Sequence, residues 1–261
     1  MSEDKPKTGF IRGFLSGLSG ATEGFLFLCR YPTLWRYGIW PVLVNIVVAL
    51  VVWLGAFQIG RMFWESVVST FPDTWWAPII EWGVFVALIV LTLGLGVIGY
   101  IVLQGVFCGW FFSILARQVE MMLGVAPDEL KDVPVFGQIT DALRAAFKLI
   151  VVNVVLLLFQ IVPVVGAVAA VTIGGYLNAY ILGSEFLGYP MELRGTRWID
   201  RQRFAKQCLA HTLGLGTILS LLILIPIVGA LLQATSVVGA VLIYRRLEGL
   251  PTEVALERAD G

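Results

Sequence analysis

The sequence predicts an all-α integral membrane protein that forms a single membrane domain over residues 1–261. Hydrophobic residues make up 58% of the chain and charged residues only 14%, whereas about a quarter of the residues in a soluble domain are charged. The uncharged stretches 37–60 and 82–116 each exceed the roughly 20 residues that a helix needs to cross a bilayer. Two further uncharged stretches, 149–184 and 207–244, are each interrupted near the middle. We therefore expect two transmembrane helices followed by two helical hairpins.

The segment before the first span, residues 9–30, predicts an interfacial amphipathic helix. Its apolar residues recur at steps of three, four or seven, and polar residues fall largely between them. Such a helix is too polar to span but suits the surface of the bilayer. The apolar positions are Phe10, Phe14, Leu18, Phe25 and Leu28.

Aromatic residues mark the ends of the first predicted span, as expected at membrane–water interfaces. Trp40 lies at one end of residues 37–60 and Trp64 just beyond the other. The mixed segment 61–81 predicts an interfacial loop. The second stretch, 82–116, is longer than a bilayer is thick, which predicts a tilted or kinked helix that projects from the membrane.

The two hairpins share a Pro-x-x-Gly turn, at Pro163–Gly166 and Pro226–Gly229. Pro and Gly at this spacing predict a tight turn between helices. The arm before the first turn, 149–162, has only 14 uncharged residues, or about 21 Å of helix. The arm before the second turn, 207–225, has 19, and both fall short of the roughly 20 residues of a full span. Each hairpin is either a pair of short spans or a re-entrant hairpin that leaves on its starting side. The sequence favours the re-entrant form, because neighbouring protein can satisfy a turn buried in the membrane.

Positive charge predicts the orientation. Of 18 Lys and Arg residues, only Arg61 lies between the two long spans. The other seventeen lie in blocks that share one side of the membrane if both hairpins return to it. The positive-inside rule makes that side cytoplasmic. We therefore expect a multi-pass protein of the cell inner membrane with both termini in the cytoplasm.

The turn into the first span carries a family resemblance. The run from Tyr31 to Asn45, Tyr-Pro-Thr-Leu-Trp-Arg-Tyr-Gly-Ile-Trp-Pro-Val-Leu-Val-Asn, is similar to the opening of the CysZ sulfate permeases, the bacterial branch of the etoposide-induced protein family. Tyr189-Pro190 and both Pro-x-x-Gly turns extend the resemblance over most of the chain. It implies the helix arrangement above, a homo-oligomer, and passage of sulfate into the cytoplasm.

The resemblance also implies a substrate site at residues 33–36. Sulfate in the family is held near a Gly-Leu-Arg-Arg turn, which corresponds here to Thr33, Leu34, Trp35 and Arg36. This chain thus keeps one of the two arginines. Independently of the family, an arginine and free N–H groups at a helix start suit an oxyanion. The alternative is that Arg36 is a cationic anchor at the level of the lipid headgroups.

Polar residues inside the hairpins permit two interpretations. They either line a path for a small anion or join helices by hydrogen bonds. At the exit of the first hairpin, Glu185 and Tyr189 either couple transport to protons or anchor the helix at the interface. The polar hairpin residues are Asn153, Gln160, Thr172, Asn178, Thr217, Ser220, Gln233, Thr235 and Ser236.

The chain carries no sign of a catalytic or cofactor site. His211 is the single histidine, the three cysteines lack metal-site spacing, and no nucleotide-binding or serine-hydrolase motif is present. We expect a protein that is not an enzyme, uses no cofactor or ATP, and binds no nucleic acid, since its net charge is zero. The partners predicted are the lipid bilayer and a small inorganic anion, with sulfate transport as the leading function. A membrane scaffold that transports nothing is the alternative.

Overall fold

The computed structural model describes residues 9–68, 77–131, 135–159, 163–223 and 226–254, and every element within these ranges is helical. A 3₁₀ turn, Pro32–Leu34, links the first two helices, and a π-helical turn, Ala170–Gly174, links the fifth and sixth. The helices are α1 Phe10–Arg30, α2 Trp35–Val68, α3 Ala77–Met122, α4 Val135–Phe159, α5 Pro163–Ala169, α6 Gly175–Glu192, α7 Trp198–Gln207, α8 Leu209–Ile223 and α9 Pro226–Leu247.

Four stretches of helix are long and apolar enough to cross a membrane, which confirms the prediction of an all-α, multi-pass membrane protein. They are Pro32–Ser66, Ile79–Gly96, Ile139–Phe159 and Gly166–Glu192. Most of their large apolar side chains are exposed on the isolated chain. In a protein of this composition, that exposure provides the surface that lipid covers.

The predicted interfacial loop at 61–81 is helical where the structure describes it. Helix α2 continues to Val68 and α3 begins at Ala77, and residues 69–76 lie outside the described residues. Arg61 and Glu65 form an exposed ion pair one turn apart, at 2.9 Å. Charged side chains at this spacing are compatible with helix, so the polarity of the segment does not end α2.

Helix α1 packs into the protein mainly through glycine, and Leu28 is the one residue of its predicted apolar stripe that is buried. The buried residues of α1 include Gly13, Gly17, Gly20 and Gly24, whereas Phe10 is 59% exposed. A β-carbon at Gly24 would meet the backbone of α9, and one at Gly17 the backbone of α8. Small residues thus let the backbones of α1, α8 and α9 approach closely. That α1 also lies at the membrane surface stays a prediction.

Close packing at glycine also joins α6 to α8. A β-carbon at Gly183 would meet the backbone of Thr212, and one at Gly216 the backbone of Ala179. The two helices therefore run antiparallel at close distance. Around them, apolar side chains of α1, α3, α6, α8 and α9 form one buried cluster. The resulting bundle fixes the relative positions of the turn at 32–34 and of both hairpins.

The arms of the two hairpins differ in length. Helix α4 has 25 residues, because it begins at Val135 in the charged segment and not at residue 149. It therefore reaches the length of a span, about 37 Å at 1.5 Å per residue. Helix α8 has 15 residues, about 22 Å, and does not. Residues 160–162 and 224–225 of the turns lie outside the described residues, so the re-entrant form stays a prediction for both hairpins.

Candidate functional site

The turn into α2 uses part of its own hydrogen-bonding capacity. The backbone N–H of Leu34 donates to the carbonyl of Tyr31 at 3.1 Å, and the N–H of Trp35 donates to the carbonyl of Pro32. Pro32 has no N–H. The turn is thus rigid, and two of the N–H groups that the sequence analysis left open for an anion are satisfied within it.

The four predicted site residues divide between surface and interior. Thr33 and Arg36 are exposed, whereas Leu34 is buried in the apolar cluster and Trp35 packs edge-on against Phe25. The guanidinium of Arg36 lies over the Tyr37 ring at 4.7 Å and donates to the Tyr37 hydroxyl at 2.7 Å. Stacking leaves the other donors of Arg36 exposed. Of the four, Thr33 and Arg36 can present polar groups to a ligand at the surface.

Apolar side chains separate this turn from the first hairpin. Phe112 packs against Phe186 and Tyr189 in the same cluster as Leu34. Tyr189 is only 8% exposed, and an interfacial position for it and Glu185 stays a prediction. Leu34 of the turn and the rings of Phe112, Phe186 and Tyr189 thus belong to one apolar cluster.

A buried ion-pair cluster joins the ends of three helices. Glu120 of α3 is fully buried and accepts hydrogen bonds from Arg194 at 2.8 Å and Arg245 at 2.5 Å. Arg245 also donates to the carbonyls of Leu123 and Pro251. Burial lowers the pKa of Arg194, but the hydrogen bond and charge of Glu120 outweigh it and raise that pKa above its ordinary value. The cluster holds the ends of α3, α6 and α9 together.

A second set of polar side chains lies between α4 and α6, which we call the α4–α6 seam. The two helices are antiparallel, and charged or amide groups face each other at three levels. The seam was not predicted, because its charged residues Asp141 and Lys148 precede residue 149, where the uncharged stretch of the first hairpin begins. The signal was present in the spacing of Asp141 and Lys148 and of Glu185 and Glu192, each seven residues apart and so on one helix face. The seam consists of Asn153 with Asn178, Lys148 with Glu185, and Asp141 with Glu192 and with Arg201 of α7.

Asp141 and Arg201 close the charged end of the seam. Arg201 donates to Asp141 and lies 3.5 Å from the carboxylate of Glu192. Arg144 reaches the other oxygen of Asp141 at 3.0 Å. Arg201 is 9% exposed, and its Nε–H is buried without an acceptor within the described part of the chain. The end of the seam thus holds a carboxylate shared by two guanidiniums and one unsatisfied donor.

Lys148 occupies the middle of the seam beside an aromatic ring. Its ammonium lies 4.4 Å from the centroid of Trp198 at the start of α7, and Arg144 lies 5.4 Å from the same ring. Lys148 and Glu185 are close enough to interact electrostatically. No hydrogen bond or close ion pair joins either of them to another residue in the described ranges. The seam therefore holds a half-buried lysine whose ammonium donates no hydrogen bond to a described residue.

The hydroxyl groups of the hairpins do not line a path. The hydroxyls of Thr172, Thr217, Ser220, Thr235 and Ser236 each donate to a carbonyl three or four residues earlier in the chain. Asn153 and Asn178 alone bond between helices within the described hairpin arms, at 3.2 Å. This favours the packing interpretation for the neutral residues. Gln160 lies outside the described residues, and Gln233 is buried.

Comparison with known proteins identifies relatives over most of the chain. The model of a family described as sulfate transporter CysZ/etoposide-induced protein 2.4 matches residues 21–232. A protein named sulfate transporter CysZ from Pseudomonas fluorescens strain Pf0-1 is 23% identical over 249 residues, which cover 90% of this chain and 95% of that protein. A protein of the same name from another P. fluorescens strain is 29% identical over 101 residues, covering 38% of this chain and 40% of that protein.

Proposed function

The chain belongs to the sulfate transporter CysZ/etoposide-induced protein 2.4 family, and on that premise we propose that it transports sulfate or a related small oxyanion across the cell inner membrane. The observation that carries the proposal is the extent of the family match. Residues 21–232 include the turn at residues 33–36 and both Pro-x-x-Gly turns. The relative named a sulfate transporter is matched along 95% of its own length.

Arg36 is the proposed first contact for the anion. It lies in the first turn of α2, it is exposed, and its guanidinium is oriented by the Tyr37 ring and hydroxyl. A helix N-terminus and a fixed guanidinium both favour negative charge. Thr33 adds an exposed hydroxyl two residues before the helix begins. Leu34, which is buried, and Trp35, which packs partly buried against Phe25, are proposed to shape the turn.

The arrangement of charge supports one orientation. The ion pairs among Glu120, Arg194 and Arg245 bring three of the positively charged blocks to the same end of the molecule. By the positive-inside rule we assign this end, with both chain termini, to the cytoplasm. No ATP-binding motif is present in the sequence, so the anion moves down its own gradient or with a coupled ion.

A membrane scaffold that transports nothing is the alternative, and one observation favours it. Leu34, close to Arg36 in the turn, lies with Phe112 and Phe186 in one buried apolar cluster, and a scaffold tolerates such a closed apolar core. Under the transport proposal the path is then completed between two copies of the chain, as a homo-oligomer. Under the scaffold alternative no path is required.

Uptake of radiolabelled sulfate into proteoliposomes tests the proposal. We expect saturable uptake by the native chain, and an initial rate at least about tenfold lower for Arg36→Ala, because one charge-assisted contact contributes about 1.5–3 kcal/mol. Arg36→Lys keeps the charge and is expected to retain part of the rate. Arg203→Ala, an exposed arginine on α7 that pairs only with Asp200 in the described structure, is the matched control. Uptake equal to that of empty vesicles, with and without a proton gradient, would reject transport and leave the scaffold alternative.

A further inference from the structure

We propose that Lys148 and Arg144, held over the ring of Trp198, form a second binding station for a small divalent oxyanion, inside the α4–α6 seam and separate from Arg36. The nature of the anion rests on the proposed function. The station itself rests on the geometry of α4, α6 and α7.

Two positive charges are held side by side at this position. Arg144 and Lys148 are one turn apart on α4, a spacing at which like charges repel each other. Both nevertheless lie over one indole, at 5.4 and 4.4 Å from its centroid. The ring belongs to α7, so two helices fix the pair. Asp141 already pairs with Arg144 at 3.0 Å, and an anion between the two cations would offset the repulsion that remains.

Donors in this cluster lack acceptors. A lysine ammonium carries three N–H donors, and no described residue accepts a hydrogen bond from Lys148. The Nε–H of Arg201, which is nine-tenths buried, also has no acceptor within the described ranges. Arg201 and Arg144 share the carboxylate of Asp141, so both unsatisfied donors belong to one cluster. A buried donor without a partner, such as the Nε–H of Arg201, is costly. Lys148 is only half-buried, and the oxygens of a tetrahedral anion supply acceptors for both residues.

Glu185 gives the station a means of release. The carboxylate of Glu185, on α6, interacts electrostatically with Arg201 and with Lys148, but it forms no close ion pair with either in the described structure. A negative group near the cations weakens the binding of an incoming anion. A transport site must bind weakly enough to let the anion leave. The station therefore predicts that Glu185→Gln binds the anion more tightly than the native chain, which a purely structural Lys148–Glu185 pair does not predict.

Equilibrium binding of radiolabelled sulfate to the purified full-length chain in detergent measures the station directly. We expect two sulfates per native chain and one per chain for Lys148→Gln, with the affinity of the affected site reduced roughly 10- to 100-fold. Lys148→Arg should keep both sites, and Glu185→Gln should tighten one of them. Lys131→Gln removes an exposed lysine outside the seam and is the matched control. Arg36→Ala should remove the other site.

Several results would overturn the station. They are an unchanged stoichiometry in Lys148→Gln, an equal loss in Lys131→Gln, or a single site in the native chain that Arg36→Ala abolishes. If Lys148→Gln does not fold, Arg144→Gln, whose side chain is half exposed, gives the same readout. Uptake separates this inference from the proposed function. Transport with only one sulfate per chain would reject the station alone, and two bound sulfates without uptake would reject transport alone.

Discussion

Removal of the buried carboxylate at Glu120 is expected to destabilise the protein strongly. In Glu120→Gln the side chain keeps its shape but loses the charge that faces Arg194 at 2.8 Å and Arg245 at 2.5 Å. The Glu120 side chain is 0% exposed and that of Arg245 is 3% exposed. Loss of one partner from a buried ion pair costs about 3–5 kcal/mol, because the remaining charge is left uncompensated. For a chain of this size that corresponds to a fall in Tm of roughly 6–20 °C.

Thermal unfolding of the detergent-solubilised chain, followed by tryptophan fluorescence, measures the shift. Glu65→Gln is the matched control, because Glu65 and Arg61 form a pair at 2.9 Å with both side chains 61% exposed. An exposed pair contributes at most about 1 kcal/mol. Since Glu120 and Arg194 share one interaction, the double variant with Arg194→Gln should cost less than the sum of the single changes. Equal Tm shifts for Glu120→Gln and Glu65→Gln would refute the argument.

Three further predictions follow from the packing. Gly24→Ala should lower Tm, because its β-carbon would meet the backbone of α9, whereas Gly55→Ala has open space and should leave Tm unchanged or raise it slightly. Equal effects would contradict the close approach of α1. Asn153→Leu alone leaves Asn178 without its partner, so it should destabilise the chain more than the double variant with Asn178→Leu does. The coupling energy between the two changes in a double-mutant cycle should be about 0.6–2 kcal/mol, and a coupling near zero would reject the pair. In a chain without native cysteines, Val164→Cys should resist a membrane-impermeant maleimide applied to intact cells while Glu65→Cys reacts, and labelling of both would reject the re-entrant form of the first hairpin.

Hydropathy predicted the membrane class and the position of the long helices, because bilayer thickness constrains any uncharged stretch directly. It misplaced the start of the first hairpin arm. Asp141 and Lys148 are polar in the sequence, and only their pairing with Arg201, Trp198 and Glu185 allows α4 to continue through them. Composition alone does not show which charges have partners.

The glycines of α1 make a helix contact that the sequence alone did not reveal. In the sequence, Gly13, Gly17, Gly20 and Gly24 are residues that weaken a helix. In the structure they form the face that contacts α8 and α9, and that contact offsets their poor helix propensity. The repeat of three and four residues was visible, but the helices that it faces lie some 200 residues further along the chain. The Arg36 turn was located from the family motif, whereas Lys148 and Trp198 come together only in three dimensions.

Sulfate uptake by the purified native chain, reconstituted without any other protein, tests the central claim most directly. We expect uptake of labelled sulfate that saturates with concentration and is inhibited by unlabelled sulfate. Its initial rate should exceed the leak into empty vesicles prepared in parallel. An initial rate indistinguishable from that leak, in vesicles shown to contain folded protein in both orientations, would contradict it.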